Sequence, residues 1–144
     1  DIVLTDKSFA QREFWSLLSD CEVSVVSGVP YTYEMFDRMR AFRKDLPHVR
    51  KLLQAGGKIG ESLQVRIAEY AEKYDKQFFI MYGQTEATTR MAYLPPGRCA
   101  EKIGSIGRPI PGGRIEIIDE QGLPITTPGV VGELVYYGAN VCLG

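Results

Sequence analysis

Tyr82-Gly83-Gln84-Thr85-Glu86 gathers an aromatic face, a bare backbone, an amide, a hydroxyl and a carboxylate in consecutive positions. The stretch follows the compact apolar run Phe78-Phe79-Ile80-Met81 and precedes a segment that reads as a helix. In open α/β sheets such strand ends are where ligands bind. These residue types suit a phosphate-bearing ligand accompanied by a metal ion. The Thr85 hydroxyl can donate to a phosphate oxygen, and Glu86 supplies the hard carboxylate that Mg²⁺ takes. Tyr82 offers a flat face to a base, and Gly83 permits close approach to the backbone.

Two other loops carry small or polar residues after apolar runs: Ser27-Gly28-Val29-Pro30 and Ala55-Gly56-Gly57-Lys58. Parallel strands would bring all three loops to one edge as a shared cleft; the plainer reading makes the glycines tight turns. Neither common nucleotide motif is present, since the chain lacks both a Gly-rich loop closed by Lys-Ser/Thr and GxGxxG. Lys58 alone reads as a solvated lysine. Tyr31, Tyr33, Phe36 and Tyr70 read as core or cleft wall, Tyr136-Tyr137 as strand packing and Glu133 as a solvated strand residue.

The elements that must position these loops alternate. Phe9, Phe14, Leu17 and Leu18 predict a helix over Ser8 to Asp20, with Asp6 or Ser8 as its cap. Val23 to Val26 reads as a strand. Thr32 is then positioned to cap a helix bearing Tyr33, Phe36 and Met39, which Pro47 would bar from continuing. Val49 to Leu53 predicts a second strand. Glu61 to Tyr74 predicts a strongly amphipathic helix with the stripe Leu63, Ile67, Tyr70, Ala71 and Tyr74. Phe78 to Met81 completes a strand–helix alternation that favours a parallel sheet with right-handed crossovers. After Leu94-Pro95-Pro96-Gly97 helical periodicity vanishes and glycine and proline become dense. Arg114 to Asp119, with Ile115 and Ile117 on one face, predicts a strand, Glu120-Gln121-Gly122 a turn, and Gly132 to Tyr137 another strand. The fold class expected is α/β: a partial parallel sheet with flanking helices, followed by a small antiparallel β portion.

Composition narrows the function. The 144 residues are 44% hydrophobic and 24% charged with a formal net charge of -1, enough for a core and without the basic footprint of a nucleic-acid binder. No apolar run approaches the roughly 18–20 residues that span a bilayer, so no membrane span is expected. Cys21, Cys99 and Cys142 are scattered without CxxC spacing, which argues against a zinc site or disulfide framework and for a reducing cytoplasm. The one histidine, His48, follows Pro47 and reads as a loop residue. The abrupt Asp1 and Gly144 ends read as those of a piece of a longer polypeptide.

With these residues in hand, Tyr82-Gly83-Gln84-Thr85-Glu86-Ala87 resembles the signature of the adenylate-forming superfamily, which comprises acyl-CoA synthetases, luciferases and peptide-synthetase adenylation domains. Further stretches match in order. Ser27-Gly28-Val29-Pro30 resembles the loop bordering the carboxylate pocket, and Ala55-Gly56-Gly57-Lys58 the loop along the adenosine. Gly104-Ser105-Ile106-Gly107-Arg108-Pro109 with Pro111-Gly112 is similar to the loop leading to the β subdomain. Gly132-Glu133-Leu134 followed by Gly138-Ala139-Asn140-Val141 is similar to the next motif. The resemblance spans Val23 to Gly144 and implies that residues 1–97 are the α/β part of a large N-terminal domain and residues 98–144 the start of its β subdomain. The family's phosphate loop would lie upstream, and its ribose-binding aspartate and hinge and C-terminal basic residues downstream.

The resemblance also implies chemistry. A carboxylate attacks the α-phosphorus of ATP, pyrophosphate leaves, and the acyl-adenylate passes to coenzyme A, to a phosphopantetheine thiol or to a carrier protein bearing one. Thr85 and Glu86 would be catalytic, Thr85 at the α-phosphate and Glu86 holding Mg²⁺. Tyr82 would pack on adenine, with Gly56, Gly57, Lys58, Gly83 and Gln84 along the nucleotide. Gly28, Val29 and Pro30 would border the acid. Peptide-synthetase domains place an aspartate in that first loop to bind the substrate amino group. Ser27 to Tyr33 has no acid before Glu34, which favours a fatty or aryl acid. The alternatives are an amino-acid adenylation domain and a non-catalytic nucleotide-binding or interaction module.

Overall fold

In a computed structural model, which describes residues 1–143, alternation along three short strands fixes where the core lies. β1 (Val25–Gly28), β2 (Lys51–Gln54) and β3 (Gln77–Tyr82) pair in parallel, and Val26, Leu52 and Phe78 stand side by side in register. All three are buried. The opposite pleat carries Val25, Leu53, Phe79 and Met81, which are half-buried or exposed. Because the strands follow each other in order, right-handed crossovers put both connecting helices on one face. There, α2 (Pro30–Arg38) contributes Tyr33 and Phe36 and α3 (Glu61–Lys73) contributes Leu63 and Ile67 to a single core.

The first helix, α1 (Arg12–Asp20), docks through aromatic edges. Its Trp15 ring lies 5.0 Å from Phe36, Phe9 lies 6.0 Å from the same ring, and the Trp15 indole donates to the Phe9 carbonyl at 2.8 Å. Each such ring pair contributes about 0.5–1.5 kcal/mol beyond its buried area.

Three local expectations need correction. α1 begins at Arg12, so neither Asp6 nor Ser8 caps it. Ser8 is spent in a turn, its carbonyl accepting from Gln11 N at 2.8 Å and its hydroxyl from Ala10 N at 3.2 Å, which competes with helix entry. In α2, Pro30 takes the first helical position with Val29 as cap, and Thr32 lies inside the helix. Proline suits that position because its missing N–H has no helical partner there. The helix ends at Arg38, before Pro47, where Arg40 adopts φ 61° and starts a 3-10 turn over Ala41–Arg43.

The largest correction follows β3. Among the described residues no α-helix follows Glu86; Thr85–Ala87 form one 3-10 turn and the chain reverses into β4 (Ala92–Leu94), antiparallel to β3. β5 (Arg108–Pro109) pairs beyond β4, so the main sheet is mixed, in the order β1-β2-β3-β4-β5. The antiparallel pair β6 (Arg114–Ile118) and β7 (Glu133–Tyr137) forms a second sheet, as the alternation of Ile115 and Ile117 implied. The expected turn is present: Asp119 Oδ1 accepts from Gln121 N and Leu123 N at 3.0 and 2.8 Å, with Gly122 at φ +79°. β1 and β2 begin at Val25 and Lys51, two residues later than expected.

Two buried polar groups close the core. The Lys76 ammonium donates to the Leu46 and Val49 carbonyls at 2.8 and 2.9 Å and pairs with Asp45 at 2.8 Å, which compensates its burial. The Cys99 thiol faces the Phe78 carbonyl at 3.1 Å, and burial pushes it up to about 11, so it is no nucleophile at neutral pH. All three cysteines are free. Among the described residues, no helix is long and apolar enough to cross a membrane.

Candidate active site

Register decides which loops meet. Gly28 pairs with Gln54, and Gln54 with Ile80, so the three parallel strands release their chains at one edge. A cavity of about 460 Å³ opens there. Its walls are residues 56–59, residues 80–84 and residues 104–106, with Gln64 between them. Gly56, Gly57, Lys58, Tyr82, Gly83 and Gln84 are thus brought together.

The remaining expected residues lie beside this cavity and are not part of its lining. Gly28, Val29 and Pro30 pack against the glycine loop: a Cβ on Gly56 would lie 3.1 Å from Val29 Cγ1, and one on Gly57 3.2 Å from Pro30 Cγ. Thr85 and Glu86 are exposed on the 3-10 turn just past Gln84. Two left-handed residues follow, Thr88 at φ 51° and Thr89 at φ 68°. Such conformations cost about 1–3 kcal/mol each and persist where surrounding bonds hold them. Here Thr89 N donates to Gln84 O at 3.0 Å and Met91 N to Tyr82 O at 2.9 Å, closing the loop on itself.

Gly83 is required for a reason the sequence does not display. A Cβ there would overlap the Thr89 carbonyl oxygen and lie 2.9 Å from Arg90 Cα. The backbone that approaches Gly83 is the chain's own.

Two buried glutamines pin the cavity walls, and sequence reading missed both. Gln54 Nε2 donates to the Gly57 carbonyl at 2.8 Å, while its buried Oε1 has no partner. Gln64 donates from Nε2 to the Cys99 carbonyl at 2.8 Å and toward Lys102 O at 3.3 Å. Its Oε1 accepts from Gly104 N at 3.2 Å. This last set holds the segment that delivers Ser105 and Ile106 to the cavity. The available signal was a glutamine between Leu63 and Ile67 on the buried stripe of α3.

Among the described residues, no group of three or more His, Cys, Asp or Glu side chains is placed to hold a metal. A glycine-walled cavity flanked by one exposed hydroxyl and one exposed carboxylate suits a ligand that brings its own anionic oxygens.

The family model of AMP-binding enzymes matches residues 1–144. The chain belongs to the AMP-binding enzyme family. It is 31% identical over 143 residues to a feruloyl-CoA synthase of Amycolatopsis sp, covering 99% of this chain and 28% of that protein. It is 30% identical over 131 residues to a 2-succinylbenzoate–CoA ligase of Bacillus pumilus, covering 89% and 25%. Among solved structures it resembles o-succinylbenzoate CoA synthetase from Bacillus subtilis in complex with the acyl-adenylate intermediate, with a TM-score of 0.75 and 25% identity. That match covers 90% of this chain and 25% of the synthetase. The AMP-binding chain thus spans about a quarter of the length of these relatives. Its mixed sheet and small second sheet are those of an adenylate-forming N-terminal domain.

Proposed function

We propose that this chain is part of an ATP-dependent acid–thiol ligase, which activates a carboxylic acid as its acyl-adenylate and passes the acyl group to a thiol. The observation that carries the reading is the convergence of three glycine-bearing loops on one cavity at the sheet edge. The relatives named for CoA ligation and the structural neighbour bound to an acyl-adenylate support it. In this reading residues 1–97 form the α/β part and residues 98–144 the start of the β subdomain.

The chemistry asks little of the protein beyond placement and charge stabilisation. An acid oxygen attacks the α-phosphorus and the bond to pyrophosphate breaks. The thiol sulfur then attacks the acyl carbonyl and AMP departs. Backbone at Gly56 and Gly57 lies along the nucleoside, the Tyr82 ring packs on the base, and the Thr85 hydroxyl donates to an α-phosphate oxygen. Lys58 lines the same wall. Gly28, Val29 and Pro30 border the acid. The residues fit Mg²⁺ as a phosphate-bound ion: Glu86 is a single exposed carboxylate beside the cavity, and Mg²⁺ is usually held by one or two carboxylates plus phosphates. When bound, Mg²⁺ would offset charge on the phosphate oxygens, and Glu86 would hold it in place.

The first loop has no acid between Ser27 and Tyr33, so a substrate ammonium would meet no counter-charge there. We therefore assign a fatty or aryl acid as substrate class, with coenzyme A or a phosphopantetheine thiol as acceptor. ATP–pyrophosphate exchange by the full-length protein is expected with fatty or aryl acids and not with amino acids. Exchange driven by amino acids alone would overturn the assignment.

Gln64→Leu keeps volume but strands Gly104 N and the Cys99 carbonyl. It is expected to raise KM for ATP about tenfold, with a smaller change in kcat. Steady-state ATP titration of the full-length variant measures this, and an unchanged KM would mean that the 104–106 wall stands without Gln64.

A further inference from the structure

The second sheet is tied to the α/β body at one place. Among the described residues, every hydrogen bond from residues 113–143 back to residues 1–109 ends between Thr85 and Arg90. Asn140, in the turn after β7, is the centre of that set. Its Nδ2 donates to the Ala87 carbonyl at 2.5 Å and to the Arg90 carbonyl at 2.9 Å. Its own carbonyl accepts from Thr88 Oγ1 at 2.5 Å, and its Oδ1 accepts from the Tyr136 hydroxyl at 2.7 Å. Two residues on, Cys142 N donates to the Glu86 carbonyl at 2.7 Å. Carbonyls only accept, so the amide nitrogen must face Ala87 and Arg90, and Tyr136 holds it that way round.

The turn is built for this contact. A Cβ on Gly138 would strike both Asn140 Oδ1 and Tyr136 Oη at 2.5 Å. The loop it grips is the one with left-handed Thr88 and Thr89, a backbone that needs outside bonds to persist.

We infer that Asn140 is a positioning residue for Thr85 and Glu86: it locks the 85–90 loop in the shape that presents their side chains, and Tyr136 orients it. The inference rests on the adenylation reading of this site. It assigns a role in the ligase reaction to a residue on the second sheet's segment that touches no substrate.

Asn140→Asp in the full-length protein replaces two donated hydrogen bonds with a carboxylate facing two carbonyls. Three readouts are needed. Hydrogen–deuterium exchange of the peptide covering residues 84–91, without nucleotide, should speed up locally. Pyrophosphate exchange should show kcat lower by about 10- to 100-fold, as for a small misplacement of catalytic groups. The Mg²⁺ concentration for half-maximal rate should rise severalfold. Tyr136→Phe and Thr88→Val, each removing one bond of the set, should move all three readouts the same way by less. A folded Asn140→Asp with parental exchange at 84–91 and parental Mg²⁺ dependence overturns the inference. If Asn140→Asp does not fold, an unchanged Mg²⁺ requirement in both other variants overturns it as well. Glu86→Gln separates the two readings: a parental Mg²⁺ requirement there sinks the site assignment, while exchange at 84–91 still judges Asn140.

Discussion

Replacing Glu86 with glutamine in the full-length protein is expected to lower ATP–pyrophosphate exchange by about 10²- to 10³-fold, the scale set by losing one fixed stabiliser of transition-state charge. The substitution keeps shape and removes only the charge. Among the described residues the Glu86 carboxylate takes no hydrogen bond or ion pair, and the residue is exposed on its 3-10 turn. Its removal should therefore leave folding stability within about 0.5 kcal/mol of the parent. A carboxylate left exposed and unpaired beside a glycine-walled cavity is available to a cation that the ligand brings. Exchange kinetics at saturating and limiting Mg²⁺, with a urea unfolding curve as the folding control, test this. A parental rate at all Mg²⁺ concentrations would remove Glu86 from the mechanism.

Gly83→Ala is expected to damage both folding and activity. The added Cβ would overlap the Thr89 carbonyl oxygen and crowd Arg90 Cα, and both are backbone atoms that cannot rotate away. Thr89 is already held at φ 68° by its bond to Gln84 O, so relief means opening the loop that carries Thr85 and Glu86. Overpacking of this kind costs about 1–3 kcal/mol or more, and displacement of the catalytic turn should abolish exchange besides. Gly97→Ala is the matched control, because a methyl added there would have nothing within 4 Å of it. That variant should stay within about 1 kcal/mol of the parent. Equal urea midpoints for the two variants would show that the close approach at Gly83 can be relaxed.

Local pattern carried the parts of the fold that depend on a residue's own face. The stripe Leu63, Ile67, Tyr70 and Ala71 specifies α3 because helical spacing puts those side chains on one side, and all are buried. Phe78 and Ile80 specify β3 in the same way by alternation. Caps were harder to read, since Ser8 and Thr32 have the right chemistry at the wrong backbone: one is consumed in a turn, the other follows a proline that had already started the helix. β4 was invisible because Ala92–Leu94 is too short for periodicity to register, and its pairing with β3 depends on a tight reversal through Gly83.

By itself, then, the sequence determined the alternation of strands and helices and the run of strand-end loops. It also placed an aromatic ring, a hydroxyl and a carboxylate at Tyr82, Thr85 and Glu86, directly after the apolar run of β3. Only the tertiary structure decided which loops share a wall. It brought residues 104–106 beside Gly56-Gly57 through Gln64, and it brought Asn140 onto Ala87 across 53 positions of chain. The reason is physical. Periodicity reports the face on which a side chain lies, whereas a hydrogen bond between distant loops depends on how whole sheets and turns have packed, which no short window of sequence contains.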